Sequence, residues 1–123
     1  MNETSYGLEV AFNDLDLKRI ERTVGSLCTR RSPVQFKDKL QCKYRINGQA
    51  VVVYEWRPYW KSPQEWIAHD VAKLRFIRKQ GEWQLYWMRA DLKWHAYKPR
   101  HRSKDLAKLV EEIDRDPFGA FFG

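Results

Sequence analysis

Histidine, cysteine and glycine are scarce in this 123-residue chain, and each scarcity removes a chemistry. The three histidines are His69, His95 and His101. No two of them stand three or four apart, so no helical chelating pair exists. His69-Asp70 resembles a metal-hydrolase dyad in name only, because such a site needs several further His and Asp ligands. The sequence therefore predicts no metal and no cofactor. Cys28 and Cys42 allow one bridge at most. Their spacing is neither C-x-x-C nor that of a secreted scaffold, which predicts reduced thiols serving as small core residues. The six glycines are scattered over turns and the tail, so no glycine-rich phosphate loop is present. No apolar run approaches ~18 residues and no basic-plus-apolar segment opens the chain. The expectation is one soluble, cytoplasmic domain over residues 1–123 with no membrane partner.

What the chain has is positive charge and rings. The net charge is +7, with six each of Trp, Tyr and Phe. Residues 1–24 hold three basic and five acidic groups, and residues 105–123 hold two and five. The remaining 18 basic and six acidic groups lie between, leaving a centre of +12 between acidic ends. Such a centre suits an anionic partner, unless the acidic ends fold back and neutralise it.

Residues 1–13 show no period and are expected to be peripheral. From Asp14, the apolar positions Leu17, Ile20, Val24, Leu27 and Cys28 form one helical stripe, ended by Ser32-Pro33. Residues 39–57 read as a hairpin about Asn47-Gly48, with Ile46 facing Gln49 and Tyr44 facing Val51. Ser62-Pro63-Gln64-Glu65 has capping-box spacing and predicts a helical turn to about Ala68. Residues 71–78 and 83–90 read as a second hairpin about Gln80-Gly81, with Leu74 facing Trp87 and Arg75 facing Tyr86. Residues 92–98 alternate again, with Asp91 as a bulge or corner. Ser103 is the predicted cap of a last helix carrying Leu106, Leu109, Val110 and Ile113, which Pro117 ends. The aromatic tail, 116–123, is peripheral in sequence and expected to dock on the domain. The fold class that follows is α+β: an antiparallel sheet of four or five strands in two hairpins plus a following strand. Helices at both termini cover one face.

Strand alternation leaves one face apolar. The other collects Lys43, Arg45, Tyr54, Trp56, Lys73, Arg75, Tyr86, Met88, Lys93, His95 and Tyr97, with Arg100 and Arg102 extending its charge. Cations there neutralise phosphates and flat rings stack bases, so the leading expectation is a non-enzymatic module that binds DNA or RNA. The same residues also suit a merely solvated antiparallel face. A second expectation is a protein-interaction module, homodimeric or bound to an acidic partner or to its own acidic C-terminus. A third is a metal-dependent nuclease using Asp91 and Lys93. Alternation sets Glu55 on the opposite face from that pair, where Arg57 or Arg89 would partner it. No catalytic residue is assigned.

The run His69-Asp70-Val71-Ala72-Lys73-Leu74-Arg75-Phe76-Ile77-Arg78, followed by Gly81-Glu82-Trp83-Gln84-Leu85-Tyr86-Trp87-Met88-Arg89-Ala90-Asp91-Leu92-Lys93-Trp94-His95-Ala96-Tyr97, resembles a small bacterial family, domain of unknown function 3024. Arg57-Pro58 fits the same pattern, and the likeness spans roughly residues 15–113. It implies a short, free-standing, cytoplasmic bacterial domain and carries no catalytic residues with it.

Overall fold

The structure, a computed structural model, describes residues 12–123. The segment expected to be peripheral at the start therefore lies outside the described residues, apart from Phe12 and Asn13. Phe12 is not peripheral. It is buried, with its ring stacked on Trp83 at 5.6 Å between centroids.

Asn13 opens the first helix through a reciprocal capping box, in which its Oδ1 accepts from Asp16 N at 2.8 Å and Asp16 Oδ2 accepts from Asn13 N at 3.2 Å. The helix, α1, runs as an α segment Asp14–Ile20, a π turn Glu21–Gly25 and an α segment Ser26–Arg30. Ile20, Val24, Leu27 and Cys28 are buried as their spacing predicts, whereas Leu17 stays exposed. The Glu21 carboxylate fills the place of a side chain at Gly25, 2.7 Å from where a Cβ would stand. There it accepts the Tyr44 hydroxyl proton, tying helix to sheet. The last helix, α2, spans Leu106–Arg115 and buries Leu106, Leu109, Val110 and Ile113. Its cap is Asp105, which accepts from Ala107 N. The predicted cap Ser103, two residues upstream, instead accepts from Asp105 N. Arg30 and Arg31 both reach Asp114 of α2, at 3.0 and 3.2 Å.

Six strands form one antiparallel sheet: β1 Gln41–Asn47, β2 Ala50–Tyr59, β3 Ser62–Ile77, β4 Glu82–Met88, β5 Trp94–Ala96 and β6 Arg102–Ser103. They pair in chain order, with β6 joining β5 on the free side of β4. The two hairpins differ from expectation in register but not in face. In the first, Asn47 pairs with Ala50 and Tyr44 with Val53. The loop is thus Gly48-Gln49, with Gly48 left-handed at φ 61° in the first central position, the pattern of a type II′ turn. In the second, Leu74 pairs with Leu85 and Lys73 with Tyr86. A 3-10 turn, Arg78–Gln80, and Gly81 at φ 60° make the loop longer than two residues. Each slip is two positions, and two positions return every side chain to its own side.

Two local predictions fail. Ser62–Glu65 is not helical. Tyr59 pairs with Ser62 and Pro58 with Trp66, so Pro63, Gln64 and Glu65 form an unpaired bulge in β3. The capping-box residues have no apolar stripe behind them to stabilise a helix, and β2 supplies strand partners instead. The strand after Asp91 is also inverted. Arg89 to Lys93 make a tight turn, with Leu92 left-handed at φ 62°. Met88 then pairs with Trp94, Trp87 with His95 and Tyr86 with Ala96. Trp94 therefore shares a face with Met88 and Tyr86, while His95 and Tyr97 turn to the core side.

The core lies between the sheet and both helices. Val51, Val53, Leu74 and Leu85 meet Ile20, Val24, Leu27, Leu109 and Ile113, all fully buried. Burying each such side chain contributes about 1.5–3 kcal/mol. Cys28 and Cys42 join this core with Sγ atoms 3.6 Å apart and no bridge. Tyr97, only 2% exposed, donates its hydroxyl to Glu112 Oε2 at 2.8 Å, and Glu112 is itself buried. The tail does dock: Asp116 accepts from Phe121 N and Phe122 N, and Phe121 packs on Tyr97 at 4.9 Å.

Two expected outcomes follow from these bonds. Tyr97→Phe leaves a buried carboxylate without its donor, so urea unfolding should show a loss of about 1–3 kcal/mol at unchanged slope. Burial, and then the bond to Glu21, push the Tyr44 hydroxyl up to about 12. Burial and the Glu112 bond push Tyr97 up as well. An unfolded tyrosine titrates near ~10. The fold thus keeps protons that the unfolded chain releases, so stability is full below about pH 10 and falls as pH rises through the folded values. The urea midpoint should drop between pH ~10 and ~12, and Tyr44→Phe should flatten that drop.

Candidate nucleic-acid interface

The face of the sheet away from both helices is built by alternation along four strands. β1 presents Lys43 and Arg45, and β2 presents Tyr54 and Trp56. β3 presents Lys73 and Arg75, and β4 presents Gln84, Tyr86 and Met88. β6 adds Arg102 opposite Gln84, and β5 adds Trp94 opposite Met88. Cross-strand neighbours pair cation with ring. Lys43 Nζ lies 5.9 Å from the Trp56 ring, the Arg45 guanidinium 5.2 Å from Tyr54, and Lys73 Nζ 5.5 Å from Tyr86. Each contact sets the charged end of a long side chain against a ring at the surface. Val52 sits beneath this layer, between Arg45 and Lys73 in the register, and is buried although it faces outward. Tyr54, Trp56 and Tyr86 stay half-exposed. Among the described residues, no helix packs on this face, because the buried residues of α1 and α2 belong to the core cluster on the other side.

Two acids of the described residues fall on this face: Glu82 of β4, whose Oε2 lies 3.7 Å from Arg102 Nε, and Asp70, which a bulge brings there. Between Val53 and Tyr54 the β2–β3 register shifts, so Val53 pairs with Ala72 but Tyr54 with Asp70. The extra residue, Val71, goes into the core. Asp70 is thereby turned outward, as bulges commonly re-aim a side chain. It receives both Arg45 Nη atoms, at 3.0 and 3.1 Å. This fork-on-fork bond pushes the already high guanidinium pKa higher still.

The family described as a domain of unknown function (DUF3024) matches residues 12–123. The chain belongs to that family. No curated protein and no solved structure matches it. The DUF3024 match reaches through the docked tail, past the residues 15–113 that the sequence motifs mark.

Within this DUF3024 domain, the predicted site residues divide cleanly. Lys43, Arg45, Tyr54, Trp56, Lys73, Arg75, Tyr86 and Arg102 come together on the open face. Lys93 lies in the turn before β5, and Arg100 in the 3-10 turn Lys98–Arg100, both exposed. His95 and Tyr97 are corrections to the predicted set. Tyr97 is a core residue. His95 lines a cleft of about 430 Å³ on the helix side with Trp87, Arg89 and Phe118. There its Nε2 meets Asp91 Oδ2 at 2.8 Å, and this contact holds the Asp91 carboxyl below the ordinary range. Trp94 is the residue that sequence reading missed. Its signal was the odd-numbered connection Arg89–Lys93, which keeps Met88 and Trp94 on one side.

The acidic ends do fold back, but onto other cations. Asp114 takes Arg30 and Arg31, and Asp16 takes Arg78 at 3.2 Å. The tail's contacts are likewise on the helix side, with Phe122 under Arg31 at 3.9 Å. Glu55, Asp91 and Lys93, named in the nuclease expectation, bond to separate partners. Glu55 faces Arg57 at 3.7 Å, Asp91 holds His95, and Lys93 contributes its backbone N–H to Asp91. Among the described residues, no three His, Cys, Asp or Glu gather to hold a metal ion. Among the same residues, no helix is long and apolar enough to cross a membrane.

Proposed function

We propose that this domain is a nucleic-acid-binding module whose ligand is an unpaired DNA or RNA strand laid across the open sheet face. The observation that carries the reading is the set of three cation–ring pairs, Lys43/Trp56, Arg45/Tyr54 and Lys73/Tyr86, side by side on a surface free of helices. Lys43, Arg45, Lys73, Arg75 and Arg102, with Arg100 from the exposed turn between β5 and β6, neutralise phosphates and release counterions. Tyr54, Trp56, Tyr86 and Trp94 offer faces to bases, at about 1–3 kcal/mol for each base stacked. Ring faces accept any base, so the module discriminates little among sequences. The unbridged Cys28 and Cys42 thiols suit a reducing compartment, and we place the module in the cytoplasm on that ground.

If six cations each meet a phosphate, binding of mixed-sequence single strands weakens with salt at a log–log slope near about −4. Fluorescence anisotropy across a salt series measures it. A slope near zero, or no binding at low salt, removes the reading and favours an acidic protein partner. Asp70 provides a second check with the opposite sign. Asp70→Asn removes the carboxylate that competes with phosphate for Arg45, so affinity at low salt should rise. Unchanged or weaker binding in that variant would show that Arg45 does not touch the ligand.

A further inference from the structure

The β2–β3 hairpin outruns the rest of the sheet. The last β1 partner on β2 is Trp56, and β4 pairs with β3 only from Ala72 onward. Residues 57–67 are therefore a free two-stranded ribbon, projecting about 13 Å if some four residues per strand rise about 3.3 Å each. Its tip is Trp60, 79% exposed, with Lys61 Nζ 5.1 Å from the ring and Tyr59 edge-on at 6.2 Å. Below the tip, Trp56 and Trp66 stack at 6.2 Å with ring planes 29° apart.

Alternation places these rings on a known side. Tyr54, Trp56 and Pro58 share one face of β2, and Trp66 and Ala68 are their cross-strand partners on that face. The ribbon thus continues the aromatic row of the open sheet face outward, from Tyr54 through Trp56 to Trp66. Its backbone is a poor template for another strand, because Pro58 and Pro63 lack N–H groups and Pro63–Glu65 bulge from the ladder. Binding here falls to side chains. An anionic membrane is a weaker fit, since residues 57–67 hold two cations, Arg57 and Lys61, against Glu65. Lipid-directed basic segments carry about 4–8 cations.

We propose that the ribbon lengthens the base-stacking track, so that one unpaired strand runs from the sheet face over Trp56 and Trp66 and ends on Trp60, with Lys61 at its phosphate. The inference rests on the single-strand reading of the sheet face and adds the site's extent. The ribbon then sets how many nucleotides the domain covers.

The test compares the parent chain, Trp60→Ala and Trp60→Ala/Trp66→Ala on labelled oligothymidylates and oligouridylates from about four to about sixteen nucleotides, with anionic vesicles alongside. All three proteins should bind the shortest oligomers alike and share one salt slope. On longer oligomers the parent should gain affinity that each lost ring reduces about ten-fold. The single variant keeps the test sound if the double one disturbs the ribbon, because Trp60 touches little else. If parent and variants bind every length alike while the slope stays near about −4, the ribbon is no part of the track and the sheet reading survives. If the parent binds no oligomer, the sheet reading fails and takes this inference with it. If Trp60→Ala loses only vesicle binding, the ribbon is a membrane contact and the proposal is overturned.

Discussion

The two-residue period of the pleated strand governs this protein. Every side chain must go to one side of the sheet or the other, and only one side is packed against helices. Val51, Val53, Leu74 and Leu85 go to the packed side. Their neighbours Lys43, Arg45, Lys73 and Arg75 have no alternative but the wet one. A core of this kind and a cationic surface of this kind are one pattern seen from its two sides. Burial enforces the inner half at about 1.5–3 kcal/mol per large apolar side chain. The outer half follows without any selection for charge geometry in the fold itself.

That coupling explains what could be read from the sequence. Both hairpins are off by two positions, yet Lys43, Arg45, Tyr54, Trp56, Lys73, Arg75 and Tyr86 all land where alternation puts them. A slip of two is invisible to the faces. The apolar stripes of both helices are equally plain, since Ile20, Val24, Leu27, Leu109 and Ile113 recur at helical spacing and are buried. Tyr97 and His95 were misplaced because alternation carries no information across a connection. The left-handed Leu92 reverses the chain within five residues, and the count of those residues, not their identity, sets the next strand's parity. The Ser62–Glu65 signature illustrates a different limit. Capping chemistry proposes a helix start, but a start without an apolar stripe gives way to strand partners already in place. The bulge at Val71 left no local signature, and it alone brings Asp70 under Arg45.

Two further contacts make the architecture hold at its margins. Glu21, lying across Gly25, links the π turn of α1 to Tyr44 of β1. Tyr97, Glu112 and Phe121 clasp the far strand, the last helix and the tail. Both clasps use a tyrosine hydroxyl on a carboxylate, so each exchanges solvation of an acid for one directed bond. They lie on the helix side, away from the cation–ring pairs of the open face.

The free side of β4 is occupied not by one strand but by two short ones in tandem, three residues of β5 and two of β6, with Lys98–His101 looping out between them. Leu85 shows how thorough the arrangement is, for its N–H goes to the His101 carbonyl and its own carbonyl receives both Tyr97 N–H and His101 Nδ1. The pieces that close that border, three and two residues long, are too brief to seed a ladder with a neighbouring molecule. A chain this rich in rings is thereby protected, along that margin, from fibrillar self-association at high concentration.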